Sequence, residues 1–163
     1  MEAFVGWLTA TPLSEFVSQH QWVWPACETL HFIGLALLIG NVGLLDFRLL
    51  GIVKDMAFVP VNRFVRWAVL GFAINLATGI VFFVGNPAQY VSNVAFGYKL
   101  AFMALAGVNV LIFYATGLAR SVEALGPGDD APLPVKVIAA ASLVLWVAVM
   151  YMGRMLPYIG NSF

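Results

Sequence analysis

Two ionisable side chains stand one helical turn apart near the start of a long apolar run. They are Glu28 and His31, in "CETLHFIGLALLIGNVGLLDFRLLG", Cys27 to Gly51. An imidazole surrounded by hydrocarbon is either a hydrogen-bonded structural group or a nitrogen ligand, and intramembrane ionisable groups tend toward function. His31 is therefore the candidate metal ligand of this chain. A carboxylate one turn away can orient such a ring or carry protons to it. At about 100° per residue, Glu28 and His31 are about 60° apart on one helical face. Leu35, Ile39, Val42 and Asp46 continue that stripe, so both groups are expected to look into a bundle interior. A later apolar run opens with Lys99, and its stripe passes through Met103, Ala106 and Val110. Arg154 stands near the end of the last run.

These residues need a frame, and composition supplies it. Of 163 residues, 62% are hydrophobic and only 10% are charged. Soluble domains carry about 25% charge, and a chain this short cannot bury so much apolar surface in one water-soluble core. The lipid bilayer is the expected solvent. Eight basic residues balance eight acidic ones, so nothing points to nucleic acid as a partner. Cys27 is the sole cysteine, which excludes an internal disulfide framework, and it reads as a packed thiol. No Lys or Arg precedes Arg48, so the basic start of a cleavable signal is missing.

Four apolar stretches, at about 25–45, 64–84, 96–119 and 135–156, each match roughly 30 Å of hydrocarbon. Uninterrupted runs of that length satisfy their backbone in lipid only as helices. The expected fold is all-α: one domain over 1–163, an integral membrane four-helix bundle with neighbouring helices antiparallel. Thr11 followed by Pro12 marks the start of a short N-terminal interfacial helix with Leu13, Phe16 and Val17 on one face. Trp7, Trp22 and Trp24 suit headgroup depth. "EALGPGDDAPLP", Glu123 to Pro134, reads as a flexible loop.

Arg48, Lys54, Arg63 and Arg66 crowd the first link, and Arg120 and Lys136 bound the third, whereas "GNPAQYVSNVAF" has no basic residue. The bias places both termini outside a bacterial cytoplasmic (inner) membrane, with the two basic links inside. Asp46 and Arg48 then mark the cytoplasmic exit of the first span. Lys99 and Arg154 become the basic exceptions on the outer side. Lys99 has a structural reading as a snorkelling lysine, and Asn75 and Asn109 have one as helix–helix glue. Met150, Met152 and Met155 near the last outer end do not share one face.

Two segments carry a resemblance. "ETLHFIGLALLIGNVGLLDFRLLG" has a histidine at its start, small residues in its middle and an arginine at its exit. "FGYKLAFMALAGVNVLIFYATGLAR" has a lysine at its start and an arginine at its exit. Over about residues 25–120 the chain resembles the superfamily of small four-span bacterial membrane proteins that includes the CopD-type copper-resistance domain and the HemJ-type protoporphyrinogen oxidases. In HemJ-type members a first-span histidine and a third-span lysine are associated with haem b, and the resemblance implies those roles for His31 and Lys99. Where HemJ-type proteins carry Pro-Arg-Leu and a following Tyr-His, this chain reads "LLDFRLLGI", so it is most similar to the superfamily's uncharacterised members.

Three functions follow as expectations. The first is a haem b protein with a redox or electron-transfer role, held near the outer side. His31 would be axial ligand, Lys99 or Met103 the second ligand, Glu28 the group behind His31, and Arg154 or Trp24 the contact to the propionates. A bis-histidine site within one chain would require His20 to fold back over the bundle. The second is copper handling by His31 and the outer methionines, since imidazole and thioether suit copper. The third is a non-enzymatic subunit or scaffold that binds another membrane protein or a second copy of itself. Whether the chain is an enzyme stays open at the level of sequence.

Overall fold

Pro12 cannot donate a backbone hydrogen bond, and Thr11 before it can cap one; together they start a helix. The computed structural model describes residues 2–56, 61–123 and 125–159, with the side chains of residues 61–63 outside that description. Arg63, counted above in the first basic link, has its side chain among those. Two short helices open the chain rather than one: α1 (Glu2–Thr9) and α2 (Pro12–Gln19). The Thr11 hydroxyl accepts from the Ser14 amide at 3.3 Å, as expected of the cap. Val17 and Ser14 of α2 are buried, while Leu13 and Phe16 are exposed. Phe16 instead forms a surface aromatic cluster with His20 and Trp22.

Four helices are long and apolar enough to cross a membrane. They are α3 (Val23–Leu50), α4 (Val61–Gly85), α6 (Val94–Ala115) and α8 (Leu133–Met155). Two short helices lie between them, α5 (Pro87–Val91) and α7 (Leu118–Glu123), and no strand occurs among the described residues. The third span is shorter than the sequence suggests, because Thr116 and Gly117 end α6, Gly117 adopting φ +76°, and α7 then runs separately. Large apolar side chains such as Phe32, Leu111 and Val144 point outward along the long helices, as a lipid-facing surface requires.

The long helices pack as two hairpins. α3 lies along α4, α6 lies along α8, and α3 against α8 joins the pairs. The α3–α4 contact is closest where Gly34 meets Gly71. A Cβ on Gly71 would stand 2.6 Å from the Gly34 carbonyl oxygen and from the Leu38 amide nitrogen. A Cβ on Gly34 would stand 2.9 Å from the Gly71 oxygen. A glycine three residues after His31 could leave space for a ligand, but here the neighbouring helix fills that space, because close backbone approach supplies the packing between helices in lipid.

The two ends of the bundle differ. One end, here the capped end, carries α1, α2 and α5. There Asn93 caps α6 at the Phe96 amide and donates to the Leu156 carbonyl at 2.9 Å. The other, the loop end, carries residues 51–56 and 116–132. The Glu123–Pro134 stretch, expected to be flexible, is folded over this end. Val122 and Ala131 are buried with Leu49, Val135 and Ala139.

Candidate functional site

Deep placement of Arg48 on α3 gives the first surprise. Its side chain is buried, and it donates to three backbone carbonyls of the loops: Nε to Met56 at 2.8 Å, Nη2 to Gly126 at 2.8 Å and Nη1 to Asp129 at 3.1 Å. The Gly128 amide donates to the Lys54 carbonyl, and Asp130 joins Lys54 and Lys136 at 3.3 and 2.6 Å. These two lysines hold the exposed Asp130 carboxyl below its ordinary range, Lys136 foremost. Arg48 thus ties both loops to α3 rather than only marking a helix exit.

His31 lies half-buried toward the capped end of α3. Its Nδ1 is 2.7 Å from the Thr78 hydroxyl oxygen on α4, and Phe82 packs edge-on at 5.6 Å between ring centroids. The Thr78 hydroxyl faces two carbonyl oxygens of its own helix, Ile74 at 2.7 Å and Asn75 at 3.2 Å. Carbonyls only accept, so the single hydroxyl proton goes to them and Oγ1 must accept from the ring. The network assigns the Nδ1–H tautomer and leaves the Nε2 lone pair available. That is the arrangement by which outer partners fix a ligating imidazole. Thr78 was visible in the sequence only as one polar position on the second span; its partner across the helix boundary was not.

Glu28 does not serve His31. Its carboxylate accepts from Trp24 Nε1 at 3.2 Å and is exposed. The physical reason is the direction of helical side chains, which lean toward the helix N-terminus. Glu28 therefore reaches back to Trp24, one turn nearer the capped end, and away from the deeper His31. Its charge faces Tyr90, whose hydroxyl is pushed above its ordinary value, first by burial and then by Glu28.

Lys99, near the start of α6, is half-buried and packs over Gly153 of α8, where its Nζ would meet a Cβ at 3.6 Å. It lies toward the same end of the bundle as His31, near the start of α6 as His31 is near the start of α3. Arg154 is exposed on the last turn of α8, at the same end. His20 is apart from them: its Nδ1 meets the Phe16 carbonyl at 3.0 Å and its ring lies against Phe16 and Trp22. No group of three or more His, Cys, Asp or Glu side chains placed to hold a metal ion occurs among the described residues.

Met103 lines a different feature. Apart from a Phe83–Phe96 ring stack at the capped end, α4 and α6 do not pack along one another among the described residues. Between them lies a cleft of about 360 Å³, with α3 and α8 as its floor. Met103, Phe72, Asn109 and Val110 are on its walls, and Asp46 and Ser142 are on its floor.

A sequence comparison bears on the whole arrangement. A family profile matches residues 7–161, which takes in every long helix, His31, Asp46 and Lys99. The chain belongs to DUF6644, a family of unknown function. Neither the curated proteins nor the solved structures yield a match. Within this DUF6644 protein, then, function has to be argued from the side chains themselves.

Proposed function

We propose that this DUF6644 protein binds haem b in a bacterial cytoplasmic membrane, with a redox or electron-transfer role and both termini on the outer side. One observation carries the reading: the Nδ1 of His31 is tied to Thr78, which leaves Nε2 as an available nitrogen at membrane depth. Lys99 lies toward the same end of the bundle and offers a second nitrogen as its neutral amine. Arg154, exposed at the same end, suits carboxylates at the membrane surface. Haem iron would supply one-electron chemistry, and its axial ligands set the potential. The chain's own contribution is to fix the imidazole tautomer through Thr78 and to exclude water around His31 with Phe82.

Visible absorbance of the purified protein from haem-replete cells tests this. A Soret band is expected in the wild type, absent in His31→Ala and retained in His20→Ala, with all three proteins inserted in the membrane. A wild type that shows no band, even after titration with haemin, ends the haem reading; copper found on that sample would move the assignment to His31 with thioethers. For orientation, single cysteines at Lys54 and Pro127 should resist an impermeant thiol reagent in whole cells while one at Gln89 reacts. The opposite pattern inverts the topology.

A further inference from the structure

The cleft between α4 and α6 holds a carboxyl group with one oxygen unused. Asp46 is 4% exposed, and its Oδ2 has no hydrogen-bond partner among the described residues. Ser142 of the facing helix lines the cleft beside it. A polar atom buried without a partner costs about 1–3 kcal/mol, so its retention asks for an explanation. Arg48, two residues away, is turned to the loop carbonyls of Met56, Gly126 and Asp129.

The neighbours of Asp46 narrow the choice of ligand. Asn41 and Asn109 also line the cleft, and each donates its amide to a backbone carbonyl, Leu37 at 2.6 Å and Ile138 at 3.0 Å. Their orientation is thereby fixed, and each keeps a carbonyl oxygen. With Asp46, the cleft is rich in acceptors. Among the described residues no Lys or Arg lines the cleft, which speaks against a phosphate or fatty-acid headgroup. The walls are hydrocarbon and aromatic, with Phe72, Phe113 and Trp146 among them. The mouth is apolar too: Val69 and Leu111, one on each bordering helix, are 62% and 67% exposed. A ligand can therefore enter sideways from lipid. The volume, about 360 Å³, is within the range of small-molecule sites. Asp46 is 15 positions from His31, about 22 Å along the helix, so this site is separate from the one above.

We propose that the α4–α6 cleft binds a membrane-dissolved, hydroxyl-bearing aromatic ring on an apolar tail, a quinol-type lipid, whose hydroxyl donates to Asp46. The ring lies among the aromatic walls, and the tail leaves through the apolar mouth. Binding alone is at issue, so the proposal stands whether or not haem is present.

The test uses the full-length protein in lipid nanodiscs and a photoactivatable decyl-benzoquinol, with labelled peptides mapped by mass spectrometry. Competition by four unlabelled probes identifies the chemistry: decyl-ubiquinol, its di-O-methyl ether, decylamine and decanoic acid. Saturable labelling on α4 or α6 is expected, displaced by decyl-ubiquinol and about tenfold less well by the ether, the loss of one hydrogen bond to the carboxyl group. Asp46→Leu should weaken quinol binding by a similar factor. Gly107→Trp, where an added Cβ meets nothing within 4 Å, should block the cleft while leaving the carboxyl group in place. The proposal fails if the ether competes as well as the quinol. It fails equally if decylamine or decanoic acid competes better, or if labelling persists in both variants.

Discussion

Arg48 and Asp46 are two residues apart on one helix, both buried, and they are treated in opposite ways. Arg48 gives its guanidinium to the carbonyls of Met56, Gly126 and Asp129. Asp46, which lines a cleft, keeps an oxygen with no partner among the described residues. His31, nearer the capped end, resembles Asp46 in this respect: one ring nitrogen is tied down and the other is left over. Arg48 therefore holds the chain together at the loop end, whereas Asp46 and His31 are used incompletely. A satisfied buried charge reads as structure, and a half-satisfied one reads as a site.

The largest effect should come from breaking the satisfied member. Arg48→Ala strips the partner from several buried carbonyls and is expected to cost about 3–5 kcal/mol. It should lower the thermal unfolding midpoint in detergent sharply and expose the segments 51–56 and 125–132 to protease. Asp46→Leu should do the reverse, leaving the midpoint unchanged or raising it through a stability gain of about 1 kcal/mol, since it removes an unmet polar atom. Equal losses in the two variants would erase the distinction between them.

Gly71→Leu comes next. Its side chain would collide with the α3 backbone, and overpacking of this kind costs about 1–3 kcal/mol. The same variant should disturb His31, because Thr78 rides on the displaced helix; an unaltered histidine NMR signal in Gly71→Leu would argue against that linkage.

A smaller change follows from Thr78→Val, which keeps the shape and removes the hydroxyl. The expected loss is about 1 kcal/mol of stability, together with a histidine ring no longer held in one tautomer, read from its nitrogen chemical shifts. No change in those shifts would remove Thr78 from the site.

Acid should act least, and only on the loop end. Asp130 is held below its ordinary value of 3.8 by Lys136 and Lys54. A carboxyl depressed on folding contributes above its unfolded value and loses that contribution as pH falls through its lower folded value. Acidification below about pH 4 should therefore loosen the loop end, weakly because the group is exposed to solvent. Asp130→Asn should abolish that acid response; its persistence would place the acid sensitivity elsewhere.

Much of the frame was legible in the residues. Apolar runs of membrane length sufficed for an all-α fold with four long helices, and Thr11 before Pro12 for one of the two short helices at the start. The site was harder to read. In lipid, the side of a helix that faces its neighbours and the side that faces hydrocarbon are both apolar, so periodicity loses its power to say which is which. Glu28 and His31 share a stripe, yet the lean of helical side chains sends one to Trp24 and leaves the other to Thr78. Gly34 could be read as space or as contact, and only Gly71 opposite decides. The gap between α4 and α6 has no local signature at all, since it is a property of how two hairpins meet.

The reach of Arg48 also has a consequence in time. Its carbonyl partners at Gly126 and Asp129 follow it by 78 and 81 residues. At about 5–20 residues per second, a ribosome takes roughly 4–16 s to make that stretch. During this interval the α3–α4 hairpin can already close on its glycines, but its arginine lacks the carbonyls of Gly126 and Asp129. The newborn hairpin is thus anchored at the bilayer surface by a charge it cannot yet bury, and arrival of the α6–α8 hairpin is what lets that charge leave the water.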